Sequence, residues 1–299
     1  MNVYNFIQKL LVELLAVIYF LGIFGNFLSF LTLSRKKFKN TIFETYFRII
    51  NLADTITLLY TLCQYFYNKF DININSLNDI FCYYLDYIVY FVPPISAWIL
   101  VLISLDRMMN INYPNKFISI RNNKKFQYLI CLLITIFNLI YYLPMRIYKQ
   151  FNFNINFKNQ TNQTEIINSC DLNDNGITFW MDLFNSTLIP FSLMITFNLI
   201  TINKLFKSKI KSQNILGNRD IKFAITSISL NFCFFFFMFP LEIYFIIIIY
   251  VNIIKEVYSF LNIFVIFMYS LNFGIMFYVN IIVNSIFWKE FFKMIKIIK

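Results

Sequence analysis

Twenty of the 26 basic residues fall in four short clusters, and stretches of nearly pure hydrocarbon separate the clusters. They run from Arg35 to Arg48, Arg107 to Lys125, Lys204 to Lys222 and Lys289 to Lys299. The intervening segments on the other side, residues 67–80, 146–180 and 251–256, hold most of the remaining basic residues and more acidic ones. A chain that alternates in this way threads back and forth through a bilayer, with its basic side toward the cytoplasm.

Composition supports the same conclusion. With 59% hydrophobic and 21% aromatic residues, the chain cannot cover a soluble surface with polar groups. Seven apolar spans lie at 10–33, 43–66, 81–107, 127–145, 180–206, 222–250 and 257–283. Each is long enough to cross a core about 30 Å thick at about 1.5 Å per residue. Backbone amides in hydrocarbon must be satisfied internally, so the spans are expected to be helices. The expected fold is an all-α membrane protein: a seven-transmembrane helix bundle in one domain, closed by a short amphipathic helix over 287–298.

Seven crossings put the termini on opposite sides, with the N-terminus extracellular and residues 289–299 cytoplasmic. The sequons at Asn159 and Asn162 fall in the largest outside segment, where glycosylation can occur. The net charge of +11 then reflects orientation against an anionic inner leaflet, and nucleic acid is not an expected partner. Cys63, Cys131 and Cys233 lie inside spans as packing residues, whereas Cys82 and Cys170 both face the oxidising side, a compartment that permits a disulfide. There is no histidine, which removes Cys–His, Ser–His and His-ligated metal chemistry. An aspartyl dyad would need facing carboxylates, but Asp54 and Glu242 sit at different depths. An enzyme is therefore not expected. A multi-pass transporter or channel is the other alternative, and the chain shows no repeated pair of broken helices to support it.

Polar residues inside hydrocarbon are costly and mark function. They are Asn26 in span one, Asp54 in span two, Asp106 and Arg107 closing span three, and Asn272 in span seven, with Pro190 and Pro240 in spans five and six. The pattern resembles the rhodopsin-like (class A) G protein-coupled receptors over all seven spans. Three separations carry the resemblance: 28 residues from Asn26 to Asp54, 25 from Cys82 to Arg107, and 20 from Cys170 to Pro190. The stretch Ser34-Arg35-Lys36-Lys37-Phe38-Lys39-Asn40-Thr41 is also similar to the family's first inner loop. Phe287 to Ile298 resembles its eighth helix, lying on the inner leaflet lipid.

The resemblance implies a receptor in the plasma membrane that binds an extracellular ligand and activates a heterotrimeric G protein. It implies a Cys82–Cys170 disulfide and an activation switch of Asp106, Arg107, Met238, Pro240 and Asn280. Asp220 is either a second partner of Arg107 or a solvated loop acid. Asn26, Asp54, Ser96 and Asn272 form a polar core in which Asp54 either holds a sodium ion or is protonated and bonded to Asn26 and Asn272. No other cofactor is implied. The ligand pocket should lie between helices three, five, six and seven, with Asp86, Val89, Tyr90, Glu242 and Tyr244 in its lining. Glu242 either meets a cationic ligand or bonds a neighbouring tyrosine such as Tyr244. Pro93-Pro94 should kink span three beside that pocket.

The chain also departs from the family. Asp106-Arg107-Met108 lacks the final Tyr, Ile134 stands for a span-four Trp, Met238 for the toggle Trp, and Asn198 for a span-five Tyr. Met276-Phe277-Tyr278-Val279-Asn280 stands for Asn-Pro-x-x-Tyr. These changes leave open a receptor with degenerate signalling motifs. Val89 replaces the acid of amine receptors, so a peptide ligand is expected, with some similarity to invertebrate neuropeptide receptors of the FMRFamide type. If Cys82 and Cys170 are bonded, Cys82→Ala and Cys170→Ala should each lower surface expression and ligand binding equally. The double variant should then add little, as measured by cell-surface labelling.

Overall fold

The structure is a computed structural model, and it describes residues 3–38, 42–69, 86–113, 123–144, 149–157, 164–172, 177–210, 218–250 and 255–298. Four helices come first: α1 (Val3–Leu33), α2 (Ile42–Lys69), α3 (Asp86–Asn112) and α4 (Lys124–Tyr141). Helix α5 has three parts, Ile177–Asp182, a π-helical turn Leu183–Leu188, and Ile189–Ile210. Helix α6 is Asn218–Tyr250, and α7 consists of Lys255–Gly274 and Met276–Val283 joined through Ile275. Helix α8 (Ser285–Ile298) follows directly. The seven-helix membrane bundle expected from the sequence is the fold.

Among the described residues, six of the seven bundle helices are long and apolar enough to cross a bilayer, and the exception is α2. Its 28 residues include Asn51, Asp54, Thr55, Thr57, Thr61 and Gln64, which lower its hydropathy. Those side chains point inward or bond back to the helix: Thr55, Thr57 and Thr61 donate to the carbonyls of Asn51, Ala53 and Thr57. Such back-bonding keeps a hydroxyl satisfied where water is absent.

Helix α3 is the axis of the bundle, in contact with α2, α4, α5 and α6. Of its most apolar stretch 67% is buried, against 17% for α4, whose Leu129, Leu132, Leu133, Ile136 and Ile140 face outward. The core is one continuous cluster, from Leu15 and Tyr19 near one end to Phe287 and Phe291 near the other. Cys131 is buried and Cys233 half-buried, but Cys63 is exposed on α2. That corrects its assignment as a packing residue: a position inside an apolar span can face lipid as readily as protein.

Local chemistry sets the breaks. The Asn123 side chain caps α4 by accepting from the backbone N–H of Lys125 (3.1 Å) and Phe126 (3.4 Å). Asn284 adopts an extended conformation and caps α8 in the same way, accepting from Ile286 (3.1 Å) and Phe287 (3.2 Å). In α5, Pro190 cannot donate to the Ser186 carbonyl, and its ring crowds that oxygen. The widened turn accommodates it, with the Ile189 N–H reaching back five residues to Phe184 O. Helix α3 runs unbroken through Pro93 and Pro94.

One element lay outside the sequence expectation. In the long segment before α5, β1 (Lys149–Phe157) pairs antiparallel with β2 (Thr164–Leu172), with Phe151 opposite Cys170 and Phe157 opposite Thr164. The signal was present in Gln150 to Phe157, where polar residues alternate strictly with Phe or Ile. That period of two fits a strand. Asn159 and Asn162, in the connection between the strands, and Cys82 lie outside the described residues. Of Cys170 only the backbone is described.

Helices α1 and α7 touch backbone to backbone. A Cβ on Gly22 would lie 2.9 Å from Gly274 Cα and 2.7 Å from Leu58 Cδ1. Gly22→Ala should therefore force the helices apart and cost about 1–3 kcal/mol, the range for overpacking. At Gly25 the nearest atom would be Phe277 Cβ at 3.3 Å. There the gain in helix propensity, about 1 kcal/mol, should offset the contact. Thermal unfolding of both variants in lipid nanodiscs checks the contrast, and equal melting points would contradict the close approach.

Candidate functional site: a cavity, a polar core and a latched basic end

A cavity of about 650 Å³ opens among α1, α2, α3, α5, α6 and α7. Its wall includes Tyr19, Tyr60, Tyr65, Tyr90, Pro93, Asp182, Ser186, Met238 and Tyr269. The size suits a ligand of a few residues, and the lining mixes aromatic and aliphatic side chains with polar Thr61, Gln64, Lys69, Asp182, Ser186 and Asn262. The cavity thus reaches toward α1 and α2, further than the expected walls of helices three, five, six and seven. Of the five expected lining residues, Tyr90 is in the wall. Tyr244 is buried with its ring 6.1 Å from Tyr258. Glu242 faces the bundle interior at 4% exposure, and the Thr187 hydroxyl donates to it over 2.5 Å. Asp86 and Val89 sit in the first turn of α3, and their side chains are outside the described residues.

Sequence reasoning missed the acid that does line the cavity, Asp182. Its Oδ1 accepts from the Tyr142 hydroxyl at 2.9 Å. The π-helical turn that follows aims Asn185, Ser186 and Thr187 inward, each 2% exposed. Asn185 accepts from Trp98 Nε1 on α3 (3.0 Å) and donates to Asn138 Oδ1 on α4 (2.8 Å). The tryptophan that joins α3 to α4 thus comes from α3, with the Trp98 ring 6.0 Å from Phe137, while Ile134 serves α4 as a backbone acceptor for Asn138. Asn138, Asp182 and Asn185 each stood in the sequence as a polar residue in or beside an apolar run, the signal that found Asp54.

Below the cavity is the polar core. Ser96 Oγ donates to Asp54 Oδ1 at 2.6 Å, and Asn272 borders the same space of about 20 Å³. That space holds roughly one water-sized guest. Three oxygen-bearing side chains suit a hard cation, whereas the Met276 and Cys233 sulfurs on the same wall do not. The residues thus fit a small cation held chiefly by Asp54. Asn26 does not bond Asp54: its Nδ2 donates to Phe273 O at 3.1 Å, tying α1 to α7. Buried Asn280 donates to Met276 O at 2.9 Å within α7.

The end bearing the basic clusters is held by cross-helix bonds. Arg107 is 7% exposed, pairs with Asp106 at 3.2 Å, and lies 5.6 Å from the centre of the Phe223 ring on α6. Asn231 on α6 donates to Ser104 Oγ on α3 at 2.6 Å, and Lys222 on α6 donates to Ser285 Oγ at 2.5 Å. Asp220 is in the first turn of α6, with its side chain outside the described residues. Met238 reaches the cavity and Pro240 lies inside α6, so this helix spans cavity and latch. Buried Glu44 joins Lys124 (2.9 Å) and Arg48 (3.2 Å), and Glu290 joins Arg35 (3.2 Å) and Lys293 (3.2 Å).

Residues 25–287 match the sequence profile of the family described as "7 transmembrane receptor (rhodopsin family)". No curated protein matches the chain.

The matched stretch stops at Phe287, and Glu290, just beyond it, gives α8 a pH-dependent attachment. Burial favours the neutral acid, but the hydrogen bonds and charges of Lys293 and Arg35 outweigh it and hold Glu290 below its ordinary value of 4.5. A lowered carboxyl stabilises the docked helix at every pH above the ordinary value. It loses that contribution as pH falls through the lowered one. The cations are partly exposed, at 27% and 61%, so the pairs contribute about 1 kcal/mol or less. Glu290→Gln should melt lower than wild type at neutral pH. The two curves should converge as pH falls below the ordinary value and through the lowered one. Curves that stay parallel on acidification would contradict the pairing.

Proposed function

We propose that this chain, which belongs to the rhodopsin family of seven-transmembrane receptors, binds an extracellular neuropeptide in the aromatic cavity and passes its occupancy to a heterotrimeric G protein at the basic end. The observation that carries this reading is the course of α6. Met238 contributes to the cavity wall, and Asn231, two turns nearer the basic end, is bonded to Ser104 of α3. A ligand that shifts Met238 acts on the helix that the latch holds. Interior packing turns such a shift into a choice between two arrangements.

The cavity volume supports a peptide terminus as ligand, and Val89 stands where amine receptors carry their acid. The invertebrate FMRFamide-type branch is the reading that fits this best. The receptor sits in the plasma membrane with its N-terminus outside, glycosylated at Asn159 and Asn162 and bridged from Cys82 to Cys170. In the resting state Asp54 holds a sodium ion with Ser96 and Asn272. Asp106 holds Arg107, which is released to the G protein on activation, and Asp220 adds a second restraint on it.

Guanine-nucleotide exchange in membranes at matched surface expression tests the reading. Asn231→Leu removes a bond made only in the latched arrangement and should raise basal exchange several-fold, since about 1.4 kcal/mol shifts an equilibrium tenfold. Arg107→Ala should abolish exchange and leave ligand binding intact. Replacing sodium by choline should raise basal exchange in wild type and leave Asp54→Asn unchanged. The altered motifs at Met108, Met238 and Asn280 favour a second reading, a ligand-binding member that does not signal. Retained ligand binding without exchange on any G protein would establish it.

A further inference from the structure

We infer that the cavity is selective for a ligand carrying a single cationic group, a guanidinium or amine, and that Asp182 on α5 is the residue that selects it. The inference deepens the receptor reading and rests on it only in taking the cavity as the ligand site. Asp182 is the acid among the described residues of the wall. Its Oδ1 is bonded to Tyr142, a neutral donor, and among the described residues no ion pair to Asp182 occurs. Lys69, the base of that wall, belongs to the last turn of α2 and lies over the Tyr65 ring, 5.8 Å from its centre.

A second carboxyl strengthens the demand. Ser186 Oγ donates to the Asp182 carbonyl (2.7 Å), lies 3.2 Å from Thr187 Oγ1, and Thr187 donates to Glu242 (2.5 Å). Glu242 thus stands behind the wall that Asp182 lines, close to it through Ser186 and Thr187, in a bundle surrounded by hydrocarbon. Desolvation makes an uncompensated carboxylate costly there and strengthens its attraction for a cation. Glu242 is a positioning residue, acting through Thr187 rather than by touching the ligand. Tyr65 adds an independent vacancy: its hydroxyl is buried at the cavity wall and has no hydrogen-bond partner among the described residues. A ligand with a backbone amide near its cation would fill both needs, and the tyrosines around it favour cations over neutral isosteres.

The probes are N-acetyl-Phe-Arg-amide and its citrulline counterpart, which differ in one charge and little in shape. Their affinities would be measured by thermal shift on the purified full chain in phosphatidylcholine nanodiscs. Wild type should prefer the arginine probe by roughly 10- to 100-fold, the range for a charge-assisted hydrogen bond. Asp182→Asn should erase the preference, and Tyr142→Phe should increase it, because the carboxylate then lacks its resident donor. Equal binding of the two probes to wild type, no binding of the arginine probe, or a preference retained in Asp182→Asn overturns the inference. Should Asp182→Asn not yield monodisperse protein, Tyr142→Phe decides, and an unchanged preference overturns it. No G protein is present, so an intact arginine preference in a chain that drives no nucleotide exchange overturns the signalling reading alone.

Discussion

In hydrocarbon a polar group finds its partner within the protein or goes without one, and the organisation of this chain follows from that. The backbone meets the demand by becoming helical. Serine and threonine meet it by bonding back to the preceding turn, as Thr32, Thr135 and Thr201 do. Other side chains reach another helix: Asn231 to Ser104, Ser96 to Asp54, Asn26 to the Phe273 carbonyl, Asn185 to Asn138. Apolar packing against lipid tails does little to distinguish one helix arrangement from another, so these few bonds and the Gly22–Gly274 approach choose among them.

The same bonds are arranged in layers along α3. Tyr90 and Pro93 serve the cavity layer, Ser96 the polar core with Trp98 bonded to α5 beside it, and Ser104 with Arg107 the basic end. Its high burial makes α3 the fixed member, while α6 meets it near the basic end through contacts that include the Asn231–Ser104 hydrogen bond and the approach of Arg107 to the Phe223 ring. A bundle held in this way can change its end-to-end arrangement by breaking few interactions, which a ligand-gated device requires.

The departures from the family motif also acquire a physical form. Met238 brings a flexible thioether to the cavity floor in place of a rigid indole, and thioethers fill irregular space readily. The lost α4 tryptophan is offset by Trp98 of α3, bonded to Asn185 on the π-helical turn of α5. That turn accommodates Pro190, and it faces Asn185, Ser186 and Thr187 inward together, which a regular helix would not do with three consecutive residues.

What the sequence determined by itself was the crossing number, the helical class and the partition into basic and non-basic ends. These depend on composition within a span and on charge between spans, both local properties. It also exposed Asp54, Arg107 and Glu242, because an isolated polar residue in hydrocarbon stands out without any structure. The alternation of Gln150 to Phe157 was equally legible as a strand, but the expectation of an all-α chain passed over it. Only the tertiary structure decided which polar residues meet. Asn26 and Asp54 share a motif in sequence yet take different partners, and Asp182 gained its place in the cavity from the widened turn after it. Cys63 faces outward although it lies within a span. Direction around a helix axis depends on what packs against it, and a membrane span that is apolar all round carries no stripe from which to read that direction.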